Sequence, residues 1–174
     1  IILRNLEKNE VDLVEIGIPF SDPVADGETI QKSGNKALQN GMTLKLLFEQ
    51  LQQIEQSNIP KILMGYFNPI FQFGIPDFLN NCNKTGIDGV IIPDLPIELY
   101  IEKYKNKFEE HKVQFIPLIT PQTKTKRMKI ISDIANGFVY VLSQNSVTGS
   151  KINTDGKKEY YKKVKKTIPN PTLI

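Results

Sequence analysis

Cysteine and histidine are nearly missing: Cys82 and His111 are single occurrences in 174 residues. An intrachain disulfide and a Cys/His zinc cluster are thereby excluded. No charge of one sign dominates either, since 22 basic and 19 acidic side chains leave a net +3. Neither a nucleic acid nor an anionic membrane is implied by so small a surplus. Long apolar runs are absent: "VIIP" and "FIPLI" fall far below the ~20 residues that span a bilayer. The opening "IILRNLEKNE" lacks the apolar centre of a signal peptide. A soluble intracellular protein is expected, in the cytoplasm or a plastid. The chain also contains no G-x-x-x-x-G-K phosphate loop and no G-x-G-x-x-G dinucleotide turn.

What is present is an alternation of strand and helix. β-branched runs occur at 11–16, 61–66, 89–92, 113–119 and 138–142, with the start of another at 172–174. They are too continuously apolar for a half-wet antiparallel sheet and suit parallel strands covered on both faces. Between them, Leu44, Leu47, Phe48, Leu51 and Ile54 make one helical stripe, with Thr43 as its N-cap. Weaker helical patterns cover 76–84, 97–110, 125–135 and 155–167. From the second run onward, strand centres lie roughly 24 to 33 residues apart, the spacing of βα units.

Two architectures have this pattern: an open doubly wound sheet and a (β/α)₈ TIM barrel. Polar residues at one strand end after another, Glu15, Asn68, Asp94, Thr120 and Ser143, favour the barrel, where they are expected to share one site. A full barrel takes eight strands and about 250 residues. Five strands and part of a sixth therefore predict a single incomplete barrel domain over 1–174, spanning about strands 2–6 and the start of strand 7. An opening on Ile1 and an ending inside "NPTLI" suit a fragment of a longer polypeptide, inactive in isolation.

The stretch "VEIGIPFSDPVADG", 14–27, places one glutamate in an apolar strand and two aspartates just beyond it. Strand alternation puts Leu13, Glu15 and Gly17 on one face, toward the barrel interior, with Gly17 leaving room above the carboxylate. Burial raises a carboxyl pKa and suits it to proton transfer near neutrality. The alternative is a structural glutamate held by a basic side chain or backbone amide. For the aspartates the alternatives are local: a turn or helix start at Asp22-Pro23, and a cap at Asp26 for the helix that follows.

Taken together, "EIGIPFSDPVADG", "LMGYFNPIFQFG", "GVIIPDLP", "IPLITPQT" and "YVLSQNSVTG" closely resemble the tryptophan synthase alpha chain family, in order and spacing. The resemblance implies a TIM barrel that cleaves indole-3-glycerol phosphate to indole and glyceraldehyde 3-phosphate by a retro-aldol reaction, without metal or cofactor. It matches Glu15 to the acid/base that protonates the indole carbon. Asp26 corresponds to the carboxylate that stabilises positive charge at the indole nitrogen. Tyr66, Ile91 and Tyr140 match indole-pocket positions, and Thr148 and Gly149 a mobile lid. Asp22, Pro23, Asn68 and Pro96 match loops facing a beta chain, which carries pyridoxal phosphate in a two-alpha, two-beta assembly.

Two positions depart from the family pattern: Ser146 where glycine is common in the lid, and Glu28 where proline is frequent. Two other functions compete with the lyase. One is a different phosphate-handling barrel, disfavoured by the Glu15/Asp26 pair and the lack of lysine on early strand ends. The other is a non-catalytic subunit that activates the beta chain. The lysines of "GKKEYYKKVKKTIP" belong to a solvated helix face opposite Tyr161, Val164 and Ile168. Cys82 is read as a helix residue and His111 as exposed.

Overall fold

A computed structural model describes residues 2–54, 59–143 and 154–174, the side chains of 154–156 excepted. Its strands are β1 (Val14–Gly17), β2 (Lys61–Met64), β3 (Gly89–Ile91), β4 (Gln114–Phe115), β5 (Leu118–Ile119), β6 (Val139–Val141) and β7 (Thr172–Leu173). The helices are α1 (Ile2–Lys8), α2 (Glu28–Gln39), α3 (Leu44–Gln52), α4 (Phe67–Phe73), α5 (Ile75–Lys84), α6 (Ile97–Leu99), α7 (Lys105–Glu110), α8 (Thr125–Ile134) and α9 (Thr154–Thr167).

All recorded strand pairs are parallel, and spatial order follows chain order: β1-β2-β3-β4 in one sheet and β5-β6-β7 in the other. A doubly wound sheet reverses direction at a switch point. This one never does, which decides for the barrel arrangement.

The expected strand at 113–119 is interrupted where Pro117 has no N–H to donate. Its first half pairs with β3 and its second with β6. Ile116 donates to Val90 O at 2.9 Å, while Pro117 O accepts from Tyr140 N at 2.9 Å. The chain therefore passes from one sheet to the other within a single run.

Helices cover the outer faces of these strands. Val14, Leu63, Val90, Phe115, Ile119, Val139 and Val141 point outward into a large core with Phe48, Phe78, Phe108 and Met128 from the helices. Thr43 caps α3 as expected, its Oγ1 accepting from Leu46 N at 3.1 Å. Between α6 and α7 a π-helical turn, Tyr100–Tyr104, interrupts the expected helix. Residues four and eight positions further on drift by about 40° and 80° on α geometry. The wider turn keeps Tyr100, Tyr104 and Phe108 all buried, with Tyr100 stacked on Phe115 at 3.9 Å.

Several expectations need correction. The first strand starts at Val14, not Val11, because Val11 N still bonds Leu6 O to close α1 through a positive φ of 56° at Glu10. Helices α1 and α4 are not anticipated by periodicity, being seven residues each. Pro69 looks like a breaker in α4, yet it falls in the first turn, where no donor is needed. Residues 21–26 form bends, so Asp22-Pro23 opens no helix. Gly27, not Asp26, is the N-cap of α2. His111 is half-buried, with Nδ1 2.7 Å from Lys107 O. On α9, Tyr160 joins Val164 and Ile168 in the core, and Lys163 reaches across to Thr123 O at 3.1 Å.

At the end of β2, Gly65 crosses the chain leaving β1. A Cβ there would come within 2.7 Å of Ile18 Cβ and 2.9 Å of its Cδ1. Ile18 is buried, and its β-branched stem has little freedom to yield. Gly65→Ala is expected to cost ~1–3 kcal/mol, read as a lowered midpoint in urea unfolding with an unchanged slope.

Candidate active site

Opposite the helix-covered core lies a smaller apolar cluster on the concave face of the strands. Ile62, Ile91 and Ile116 are its buried centre, and Leu13, Met64, Leu118, Phe138 and Tyr140 pack against it. Glu15 pairs in register with Ile62, and Gly17 with Met64. Val14 and Ile16 face the outer core, so Glu15 projects onto the concave face, as alternation predicts.

The expected burial of Glu15 is only partly met. The residue is exposed, and a Cβ on Gly17 above it would have nothing within 4 Å. Among the described residues, the concave face is open above Gly17. Enough protein surrounds the Glu15 carboxyl that desolvation still raises its pKa above the ordinary value. From β6, Tyr140 senses the carboxylate: its hydroxyl pKa is raised by burial and then by the negative charge of Glu15. Glu15, Ile91 and Tyr140 thus share one face.

Asp26 arrives on the loop between β1 and α2. It is half-buried, and its backbone oxygen accepts from Gln31 Nε2 at 2.9 Å. Tyr66, 5% exposed at the end of β2, reaches this loop. Its Oη accepts at 2.9 Å from the N–H of Ala25, next to Asp26 in the chain. Burial raises the Tyr66 pKa. The Ala25 N–H lowers it, and the charges of Asp26 and Asp94 push it up. Phe20 packs on the Tyr66 ring with centroids 5.3 Å apart.

The five polar strand ends do not all converge. Asp94 is exposed and caps α4 from the neighbouring loop, Oδ1 accepting from Phe67 N at 2.8 Å. Thr120 is spent locally, its N–H donating to Thr123 Oγ1 at 2.9 Å. Asn68 is exposed on α4, Pro96 is the N-cap of α6, and Asp22 and Pro23 lie in the bends before Asp26. All four sit beyond the C-terminal ends of β1 to β3, the end that carries Asp26. Thr148, Gly149 and Ser146 lie outside the described residues. Cys82 is buried in α5 and burial pushes its thiol pKa upward, which leaves an inert side chain.

The Tyr66 hydroxyl contact is the site feature that sequence reading misses. Its partner Ala25 is 41 residues away in the chain, and no spacing rule joins the two.

The family model described as tryptophan synthase alpha chain matches residues 1–174. A tryptophan synthase alpha chain of Flavobacterium psychrophilum is 52% identical over 176 residues, covering 99% of this chain and 70% of that relative. The chain belongs to the tryptophan synthase alpha chain family. Its relative from Phocaeicola vulgatus is 47% identical over 99% of this chain and 68% of its own length. Among solved structures, a chain of the tryptophan synthase α2β2 complex from Pyrococcus furiosus superposes with a TM-score of 0.87. It is 33% identical over 98% of this chain and 70% of that one. Against this alpha-chain background, the parallel strands in chain order are a segment of the family's barrel.

Proposed function

We propose that residues 1–174 belong to one barrel domain and carry the acids for indole-3-glycerol phosphate cleavage by the complete enzyme, with Glu15 as the acid/base and Asp26 as the stabilising carboxylate. Protonated Glu15 gives its proton to indole C3. The resulting indolenine cation draws electrons from the C3–C3′ bond. As that bond breaks, the C3′ hydroxyl loses its proton and becomes the aldehyde of glyceraldehyde 3-phosphate. The Glu15 carboxylate left by the first step is the base for the second. Asp26, ionised beside the ring nitrogen, offsets the transient positive charge. Proton transfers alone carry this sequence; the pyridoxal phosphate of the assembly belongs to the beta chain.

The supporting observation is that Glu15 lies on the concave face, partly desolvated and electrostatically coupled to Tyr140, one loop away from Asp26. Tyr66, Ile91 and Tyr140 form the apolar wall for the indole ring. Thr148 and Gly149, outside the described residues, are assigned substrate contacts by the family resemblance alone.

Partnership with a beta chain is supported by what the same end exposes: Val24 at 81% and Phe71 at 54%. Asp22 and Pro23 lie beside Val24 in sequence and Asn68 lies near Phe71; together with Pro96, beyond β3, they supply the polar and stiff parts of that face. Two measurements on the complete enzyme test the reading. Indole-3-glycerol phosphate should yield free indole, and added beta chain with serine should convert that indole onward. Beta-chain activation without any cleavage would leave only a partner role.

A further inference from the structure

We infer that Tyr66 is a positioning residue, its hydroxyl holding the β1 loop so that Asp26 faces the reacting ring. This rests on the reading of Asp26 as the stabilising carboxylate and concerns how that carboxylate is kept in place.

Residues 18–27 contain no helix or strand beyond the end of β1, and Ser21, Asp22, Val24 and Ala25 are exposed. The outer part of the loop, 21–25, therefore buries little surface, and its conformation depends on specific ties. Gln31 supplies one, to the Asp26 carbonyl. Tyr66 supplies the other: its hydroxyl oxygen accepts from the Ala25 N–H at 2.9 Å, one residue before Asp26. The Asp26 carboxylate lies near enough that its charge raises the Tyr66 pKa.

Tyr66 is itself held on three sides. Gly65 before it is wedged against Ile18. Phe67 after it donates its N–H to Asp94 Oδ1 at 2.8 Å. The ring is packed on Phe20. A rigid relay thus runs from the β3 loop through the end of β2 to the β1 loop, and its last link ends on the Ala25 amide, beside Asp26. Tyr66→Phe removes that link alone, because the ring and its contact with Phe20 are kept.

The experiment compares Tyr66→Phe, Asp26→Asn and the double variant in the complete enzyme, with indole-3-glycerol phosphate as substrate. The loss of one neutral hydrogen bond to the loop sets the expected scale, a fall in kcat of about three- to tenfold for Tyr66→Phe with KM changed by less than about threefold. The double variant should be no more than about twofold slower than Asp26→Asn, since both changes act through one group. Hydrogen exchange at the Ala25 amide should accelerate at least about tenfold in Tyr66→Phe, reporting the freed loop independently of turnover.

If Tyr66→Phe turns over normally while Asp26→Asn is impaired, the ring is only a wall and the inference is overturned. It is overturned equally if the loss falls on KM alone, which marks substrate contact, or if the two effects multiply. Normal turnover by Asp26→Asn would instead remove the functional reading, and this inference with it.

Discussion

Glu15→Gln in the complete enzyme lowers the rate of indole release by ~10²–10⁴-fold, the usual contribution of a positioned acid/base. Binding of a phosphate-bearing substrate analogue changes little, because the amide keeps the shape of the carboxyl and loses only its proton chemistry. Stability moves the other way. Desolvation raises the Glu15 pKa in the folded chain. A raised carboxyl pKa means that ionisation disfavours the folded state. This penalty is absent below the unfolded pKa and complete above the folded one. The glutamine variant is therefore at least as stable as the parent at neutral pH, and its relative advantage grows as pH rises through the folded-state pKa. Urea unfolding at several pH values, beside a single-turnover indole assay, checks both halves. Near-normal indole release would remove Glu15 from the chemistry. A variant clearly less stable at neutral pH would show that the carboxylate is a structural anchor, the alternative that the strand pattern alone leaves open.

The placement of Glu15 was legible because strand alternation is strict. With Val14 and Ile16 committed to the helix-covered core, Glu15 has no face left but the concave one. Its exposure was not legible, since that depends on what stands over Gly17, several strands away in space. The barrel followed from strand order, which spacing suggests and only pairing decides. The break at Pro117 shows the limit of local reading. One apolar run looks like one strand until a missing N–H divides its partners between two sheets.

Loop chemistry was the least legible. Asp26 looked like a helix cap from its neighbours in sequence, whereas in space Gly27 takes the capping position and the residue before Asp26 is tied to a tyrosine from the next strand end. Asp94 shows the reverse case. It looked like a converging site residue and instead caps α4 across 27 residues of chain. Both contacts arise from tertiary placement, so no local pattern in the chain encodes them.

Asp26→Asn should slow cleavage by about 10²-fold, less than Glu15→Gln, and should differ from it in kind. The Tyr66 tie runs to the Ala25 amide and is untouched by the substitution, so the loop stays held and the ring nitrogen keeps a polar neighbour. What disappears is the negative charge opposite the cation formed on C3 protonation. A unit charge pair at 4 Å is worth ~4 kcal/mol at an effective dielectric constant near 20. Part of this survives as an ion–dipole interaction with the amide, which leaves about 2.7 kcal/mol, or two decades in rate. The pH profile separates the two carboxylates. Cleavage begins with Glu15 protonated, so activity should fall as pH rises through its elevated pKa, and Asp26→Asn should keep that limb at a lower plateau. Glu15→Gln should flatten it. A limb that vanishes in Asp26→Asn, or a kcat within about twofold of the parent, would exchange or abolish the roles assigned to the two acids. Steady-state kinetics of indole release from pH 5 to 9 distinguishes these outcomes, because the elevated pKa of a proton donor is a property of the carboxyl on the strand and the stabilising charge a property of the carboxylate on the loop.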